Sequence, residues 1–149
     1  MKKLALVVSA AAALALVVTA LAGAAEKYSV KAALKNTTEV PKPKGTSALD
    51  KGAFAATYVE NATGGTLTWK LTFSHLTGKA LAAHIHMGKS GVAGPVIVPL
   101  CGPCKNGQTG KVHISKAVIS ALEGGKAYVN VHTAKNAAGE IRGQAKVSQ

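Results

Sequence analysis

The chain has 149 residues, of which 48% are hydrophobic and only 4% aromatic, and it carries a formal net charge of +12. Its positive charges are lysines scattered along the sequence, with Arg142 as the single arginine, and this pattern does not favour nucleic-acid recognition. The six acidic residues leave few carboxylates to pair for acid–base catalysis, and no nucleophile elbow or phosphate-binding loop is present, so the sequence favours a binding or structural protein over an enzyme.

The N-terminus has the pattern of a secretory signal peptide. A basic start at residues 1–3 precedes an uncharged apolar stretch over 4–25, and the small residues 22–24 form an Ala-x-Ala-like cleavage site. We predict a signal peptide over 1–24 and a single mature domain over 25–149, secreted or located in the periplasm or cell envelope. The alternative is an uncleaved anchor, because the apolar stretch is about as long as the roughly 18 residues of a membrane span. After cleavage no stable membrane span is expected.

Cleavage would leave a strongly basic chain. Lys2 and Lys3 leave with the signal peptide, so that 16 basic residues face 6 acidic ones and the net charge is +10. An anionic cell-surface polymer is therefore a candidate partner.

Short alternating segments between turn signals predict an antiparallel, Greek-key-like β-sandwich of about eight strands with one short helix. Strands are predicted at 28–34, 52–59, 66–74, 81–86, 96–100, 110–114, 127–133 and 140–147. A helix capped by Ser115 should end at Gly124 and Gly125. The residues expected in the core are Leu67, Trp69, Leu71, Phe73, Ile85, Val129 and Val131.

The two cysteines lie close together in the sequence Cys101-Gly102-Pro103-Cys104, which copies the thioredoxin redox tetrapeptide. No βαβ pattern surrounds it, and Lys105-Asn106-Gly107 indicates a loop where a redox site needs a helix. In an exported chain this spacing favours a local structural disulfide over redox or metal chemistry.

Five segments occur in the order that is typical of one domain family. They are Glu39-Val40-Pro41, Ala83-His84-Ile85-His86, Gly94-Pro95-Val96, 128–133 (YVNVHT) and 139–144 (GEIRGQ). In these segments the chain resembles the CHRD (chordin-type) domain family, as a small exported bacterial member. The resemblance covers about 28–144 and implies a β architecture and an extracellular binding or structural module with no established reaction.

Three histidines are candidate metal ligands. On a strand, alternate residues share a face, so Leu81, Ala83, Ile85 and Met87 should point inward while His84 and His86 point outward together. The same parity sends Val129, Val131 and Thr133 inward and Tyr128, Asn130 and His132 outward. His113 has a similar outward position and is a weaker candidate.

Neutral imidazoles on adjacent strands can bind copper or zinc, with Asn130 and Glu140 as the expected partners that orient the rings. The affinity should fall as the pH drops through the imidazole pKa of about 6.5. A His-x-His strand is also similar to that of copper/zinc superoxide dismutases, but the further ligands of those enzymes are not identified here, so dismutase activity is not predicted. The alternative is that the three histidines stabilise loops without a metal, through hydrogen bonds to Asn130, Thr133, Glu140 or backbone carbonyls.

Overall fold

A computed structural model describes residues 26–149, and the predicted signal peptide over 1–24 lies outside them. This part of the chain is an antiparallel β structure with one short α-helix, which confirms the predicted fold class. Its strands are β1 (Lys27–Lys35), β2 (Lys51–Asn61), β3 (Gly64–Ser74), β4 (Ala80–Met87), β5 (Val96–Cys101), β6 (Gln108–Ser115), β7 (Ala127–Thr133), β8 (Ile141–Gln144) and β9 (Lys146–Ser148). The α-helix, α1, spans Lys116–Glu123.

All nine strands belong to one sheet with the order β5-β4-β7-β8-β1-β2-β3-β6, and β9 pairs with β1 beside this path. The short strand β8 joins the two halves, because it pairs along its length with β7 but with β1 only through Lys35 and Arg142. The sheet curls so that β5 and β6, at its two ends, approach each other. The result is a nearly closed barrel whose two halves face each other across one core.

Alternation along the strands builds that core. Inward side chains of β1, β2 and β3 meet those of β4, β5 and β7 in one buried cluster, as expected for two half-buried faces packed together. The helix α1 begins at Ser115, whose hydroxyl accepts a hydrogen bond from the Val118 amide, and its apolar side covers one end of the cluster. Six of the predicted core residues are buried and Phe73 packs against the cluster from a partly exposed position.

Two local features differ from the sequence predictions. Leu81 was expected inward, but its side chain is 49% exposed, because a register shift between Ala80 and Ala82 in the pairing with β7 turns it outward. The predicted strand 140–147 is divided into β8 and β9. The chain changes partner at this point, since β8 pairs with β7 whereas β9 pairs with β1.

The Sγ atoms of Cys101 and Cys104 are 2.11 Å apart, at the distance of the predicted disulfide. The bond links Cys101, the last residue of β5, to Cys104 in the loop that follows. The Cys104 amide donates a hydrogen bond to the Ala80 carbonyl at the start of β4. Within residues 26–149, no helix has the length and apolar character needed to cross a membrane.

Candidate metal centre

The strands β4 and β7 are neighbours, and their register sets the outer face of this half of the sheet. Ala83 and Ile85 point into the core, so the intervening His84 and His86 project from the opposite face. In the pairing with β7, His84 lies opposite Asn130 and His86 lies opposite Tyr128. Directly opposite residues of antiparallel strands share a face, so these four side chains lie on one surface.

His132 joins the two histidines of β4 at the end of this surface. The His84 Nδ1 and His132 Nε2 atoms are 3.1 Å apart, and one ligand nitrogen from each of the three histidines lies within 4.8 Å of the others. Two nitrogens bound to one ion at about 2.0–2.1 Å lie about 2.8–3.4 Å apart when the angle at the ion is near 90–110°. The separation in the His84–His132 pair already fits a shared ion.

Backbone carbonyls fix the orientation of two of the rings. His86 Nδ1 lies 2.8 Å from the Gly94 carbonyl oxygen, and His132 Nδ1 lies 2.9 Å from that of Ala137. A carbonyl only accepts hydrogen bonds, so each Nδ1 carries the proton and each Nε2 presents a lone pair. These two Nε2 atoms are candidate metal-binding atoms, and His84 Nδ1, which lies 3.1 Å from His132 Nε2, is the third.

The second ring nitrogen of His86, Nε2, has no hydrogen-bond partner within residues 26–149. The residue is only 8% exposed, and its Nε2 atom is buried among the described residues without a donor to satisfy it. Leaving a buried acceptor unpaired costs about 1–3 kcal/mol. One nitrogen of this imidazole is thus held by a carbonyl and the other is buried without a partner, an arrangement that is common in metal-ligating histidines.

The electrostatic surroundings of His84 and His132 disfavour the charged forms of these two rings. Burial lowers the pKa of His84, and the neighbouring His132 and His86 lower it further because a second positive charge would be repelled. Burial also lowers the pKa of His132, with a smaller opposing effect from the hydrogen bond to Ala137 and a lowering effect from His86. Neutral imidazole is the form that binds a metal.

The residues expected to orient the rings have a different role. Glu140 is buried and accepts hydrogen bonds from Thr77, Thr133 and Asn136, and Asn130 Nδ2 lies 3.5 Å from Glu39 Oε2. Neither hydrogen-bonds to a histidine ring within residues 26–149, and the partners of His86 Nδ1 and His132 Nδ1 are loop carbonyls instead. Glu140 nevertheless holds Asn136, the residue next to Ala137.

Tyr128 and Arg142 pack behind His86, a role that the sequence analysis did not anticipate. The Tyr128 ring stacks on His86 with centroids 5.0 Å apart, and the Arg142 guanidinium lies 3.3 Å from the Tyr128 ring centroid. Arg142 Nη2 also donates to the carbonyls of Lys89 and Val92, which holds the 88–95 loop over the face. The signal for this role was available, since Arg142 is the single arginine and has the outward parity of β8.

Close packing of the 88–95 loop brings the Gly94 carbonyl to His86. A Cβ atom on Gly94 would lie 1.7 Å from the Met87 carbonyl oxygen, so only glycine allows this approach. The Tyr128 hydroxyl accepts a hydrogen bond from the Gly94 amide at 3.1 Å. His86 therefore lies on the outer face, as predicted, but it is buried there under a loop.

The structure does not bring His113 to this site. It is exposed on β6, opposite Thr66 of β3, in the other half of the sheet. In contrast, the five segments that carried the family resemblance all supply residues to this face or to the loops that cover it.

Comparison with known proteins gives one finding. A family model described as CHRD domain matches residues 30–145. No curated protein and no solved structure gave a significant match. The matched region contains all of β4, β7 and β8 together with the loops that cover the histidines. The chain belongs to the CHRD domain family.

Proposed function

We propose that this protein is an exported CHRD-domain protein that binds one copper or zinc ion through His84 Nδ1, His86 Nε2 and His132 Nε2. CHRD domains are typical of extracellular modules, and the signal-peptide pattern over 1–24 supports export of this one. The observation that carries the metal proposal is the convergence of three imidazole nitrogens, one of which is buried and unpartnered.

The donor set favours copper over zinc. Three neutral imidazoles bind both ions, but Cu(II) binds nitrogen ligands more tightly than Zn(II) does in the general order of divalent metals. Three protein ligands also leave a position for water or another small ligand. When bound, the ion supplies a Lewis-acid or redox centre, whereas the chain's own residues hold the rings and exclude water from His86.

In the metal-free protein, the short contact between His84 and His132 requires a proton between the two nitrogens. Since His132 Nδ1 already donates to Ala137, this proton is on His84 Nδ1 and points at His132 Nε2. Metal binding therefore requires His84 to carry its proton on Nε2 instead. The two carbonyl contacts orient the His86 and His132 rings in advance.

Titration calorimetry with Cu(II) and Zn(II), on protein purified without a histidine tag, tests this proposal. We expect about one equivalent of Cu(II) to bind, and we expect His84→Ala/His86→Ala to abolish the heat because two of three ligands are lost. The matched control is His75→Ala/His113→Ala, which removes two exposed histidines outside the cluster and should bind as the wild type does. Equal heats for the two double variants would contradict the proposal.

The second candidate is an extracellular binding or structural module without a cofactor. The observation that favours it is the pair of ring-to-carbonyl hydrogen bonds, through which His86 and His132 each fasten a loop to the sheet. Under this alternative the three histidines form a hydrogen-bonding scaffold, and the surface of the domain carries the function.

A further inference from the structure

The outer face of the other half of the sheet, formed by β9, β1, β2, β3 and β6, is strongly cationic. Every lysine of these five strands occupies an outward position and is exposed, while the inward positions supply the core. The register aligns Lys146, Lys31, Ala55 and Lys70 in one row across four strands. None of the acidic residues within 26–149 takes an outward position on these strands.

This arrangement places like charges directly opposite each other. Lys31 is paired with Lys146 of β9, and Lys35 is paired with Lys51 of β2. Like charges at directly opposite positions destabilise an antiparallel pair, and no carboxylate on the described face offsets the repulsion. A bound anion would remove the repulsion, so the face is better suited to a ligand than to solvent alone.

Two adjoining depressions cross the face. A cleft of about 370 Å³ is lined by Lys31, Lys35 and Lys146 together with Thr38 and Gln144, whose side chains already donate to backbone carbonyls. A shallow trough of about 340 Å³ continues from Lys31 and contains Ala55, Thr57, Thr68 and Lys70. The small side chains leave room for a ligand, and the lysines and hydroxyls supply donors along its path.

We propose that this lysine face binds a linear acidic polysaccharide, with one anionic group in the cleft and the chain running along the trough past Lys31 towards Lys70. Two strand spacings separate Lys31 from Lys70, so their backbones are about 9–10 Å apart and can contact successive anionic groups of an extended chain. Lysine suits carboxylate and sulfate groups presented in varied orientations, because its ammonium is a point charge with rotatable donors.

The same face argues against two other polyanions. Single-stranded nucleic acid is usually held by aromatic side chains that stack on bases, and no outward position of these strands holds Phe, Tyr or Trp. Anionic membranes are bound by basic surfaces that also insert large apolar side chains, and the described face offers only Val59 near its edge. The lysine face is also separate from the histidine cluster, which lies on β4 and β7.

Binding to size-defined heparin, a linear acidic polysaccharide, tests the inference on the mature protein at physiological ionic strength. Lys31→Gln/Lys35→Gln/Lys146→Gln should weaken binding by at least about 10-fold, because the charges that line the cleft are lost. The charge-matched control Lys79→Gln/Lys105→Gln/Lys126→Gln lowers the net charge equally at exposed positions outside the face and should change affinity by less than about 3-fold.

Thermal unfolding of both variants separates binding from folding. The cleft variant should melt at or above the wild-type temperature, because two like-charge contacts are removed. Equal loss of heparin affinity in the two triple variants would overturn the inference, as would absence of heparin binding by the wild type. Tighter binding to single-stranded DNA or to phosphatidylglycerol vesicles than to heparin would also overturn it, since another polyanion would then be the ligand.

Discussion

Copper(II) at about 100 times its dissociation constant is expected to stabilise the folded protein by about 2.7 kcal/mol, because it binds the folded state and not the unfolded one. For a domain of this size, that corresponds to a rise of about 10 °C in the melting temperature. The rise should disappear in His86→Phe and persist in His113→Phe, which alters an exposed histidine of β6. Differential scanning calorimetry with and without the metal measures both effects.

The metal-free form of the same variant separates the two interpretations of the cluster. His86→Phe keeps a ring on Tyr128 and loses the hydrogen bond to Gly94, but it also removes a buried nitrogen that has no partner. These contributions are each about 1 kcal/mol or somewhat more and have opposite signs, so the free energy of unfolding should change by less than about 1 kcal/mol. A loss above about 2 kcal/mol, together with no effect of metal on the wild type, would identify the histidines as a scaffold.

Replacement of Glu140 by Gln is expected to destabilise the protein by about 2–4 kcal/mol at neutral pH. One buried carboxylate accepts hydrogen bonds from the Thr77 amide and hydroxyl, the Thr133 hydroxyl and the Asn136 amide group. Glutamine would present an NH2 group to some of these donors and leave them unsatisfied. The matched control is Glu60→Gln, which breaks an exposed ion pair with Lys116 and should cost less than about 1 kcal/mol.

The cost of Glu140→Gln should depend on pH. Burial alone would raise the pKa of Glu140, but hydrogen bonds from Thr133, Thr77 and Asn136 together lower it below its ordinary value of 4.5. A carboxyl with a lowered folded-state pKa contributes stability above its unfolded-state pKa and loses it as the pH falls through the folded-state value. Urea unfolding at pH 7 and at pH 3 should therefore show a smaller difference between variant and wild type at the lower pH. A difference that is constant with pH would contradict this account.

Loss of the Glu140 network should also affect the proposed metal centre. Asn136 lies next to Ala137, whose carbonyl orients His132, so the network holds the loop that orients one proposed ligand. Glu140 thus acts on His132 indirectly, through Asn136 and the Ala137 carbonyl, whereas the sequence analysis expected it to orient a ring directly.

The strand pattern and the histidine parity were accessible from the sequence because both depend on local alternation. The burial of Leu67, Trp69 and Ile85 follows directly from their spacing, as does the shared outer face of His84 and His86. The outward position of Leu81 was not accessible, because a register shift in one strand depends on its partner. The division into β8 and β9 likewise depends on which strand each segment meets.

Backbone carbonyls were among the expected partners of the histidine rings, together with Asn130, Thr133 and Glu140. Which carbonyls these are could not be predicted, because loops bring them in and the sequence contains no signal for the path of the 88–95 loop. That path depends on Arg142 donating to Lys89 and Val92 across the fold. The chemistry of a side chain can be inferred from the sequence, whereas the position of a main-chain oxygen depends on how the chain folds in three dimensions.

The most direct test of the three-histidine metal centre is a crystal structure of the Cu(II)-loaded protein with anomalous diffraction measured at the copper edge. We predict one anomalous peak about 2.0–2.1 Å from His84 Nδ1, His86 Nε2 and His132 Nε2. The Nδ1 contacts of His86 and His132 to the carbonyls of Gly94 and Ala137 should remain. Absence of a peak among these atoms, or a peak only at exposed histidines such as His75 or His113, would contradict the account.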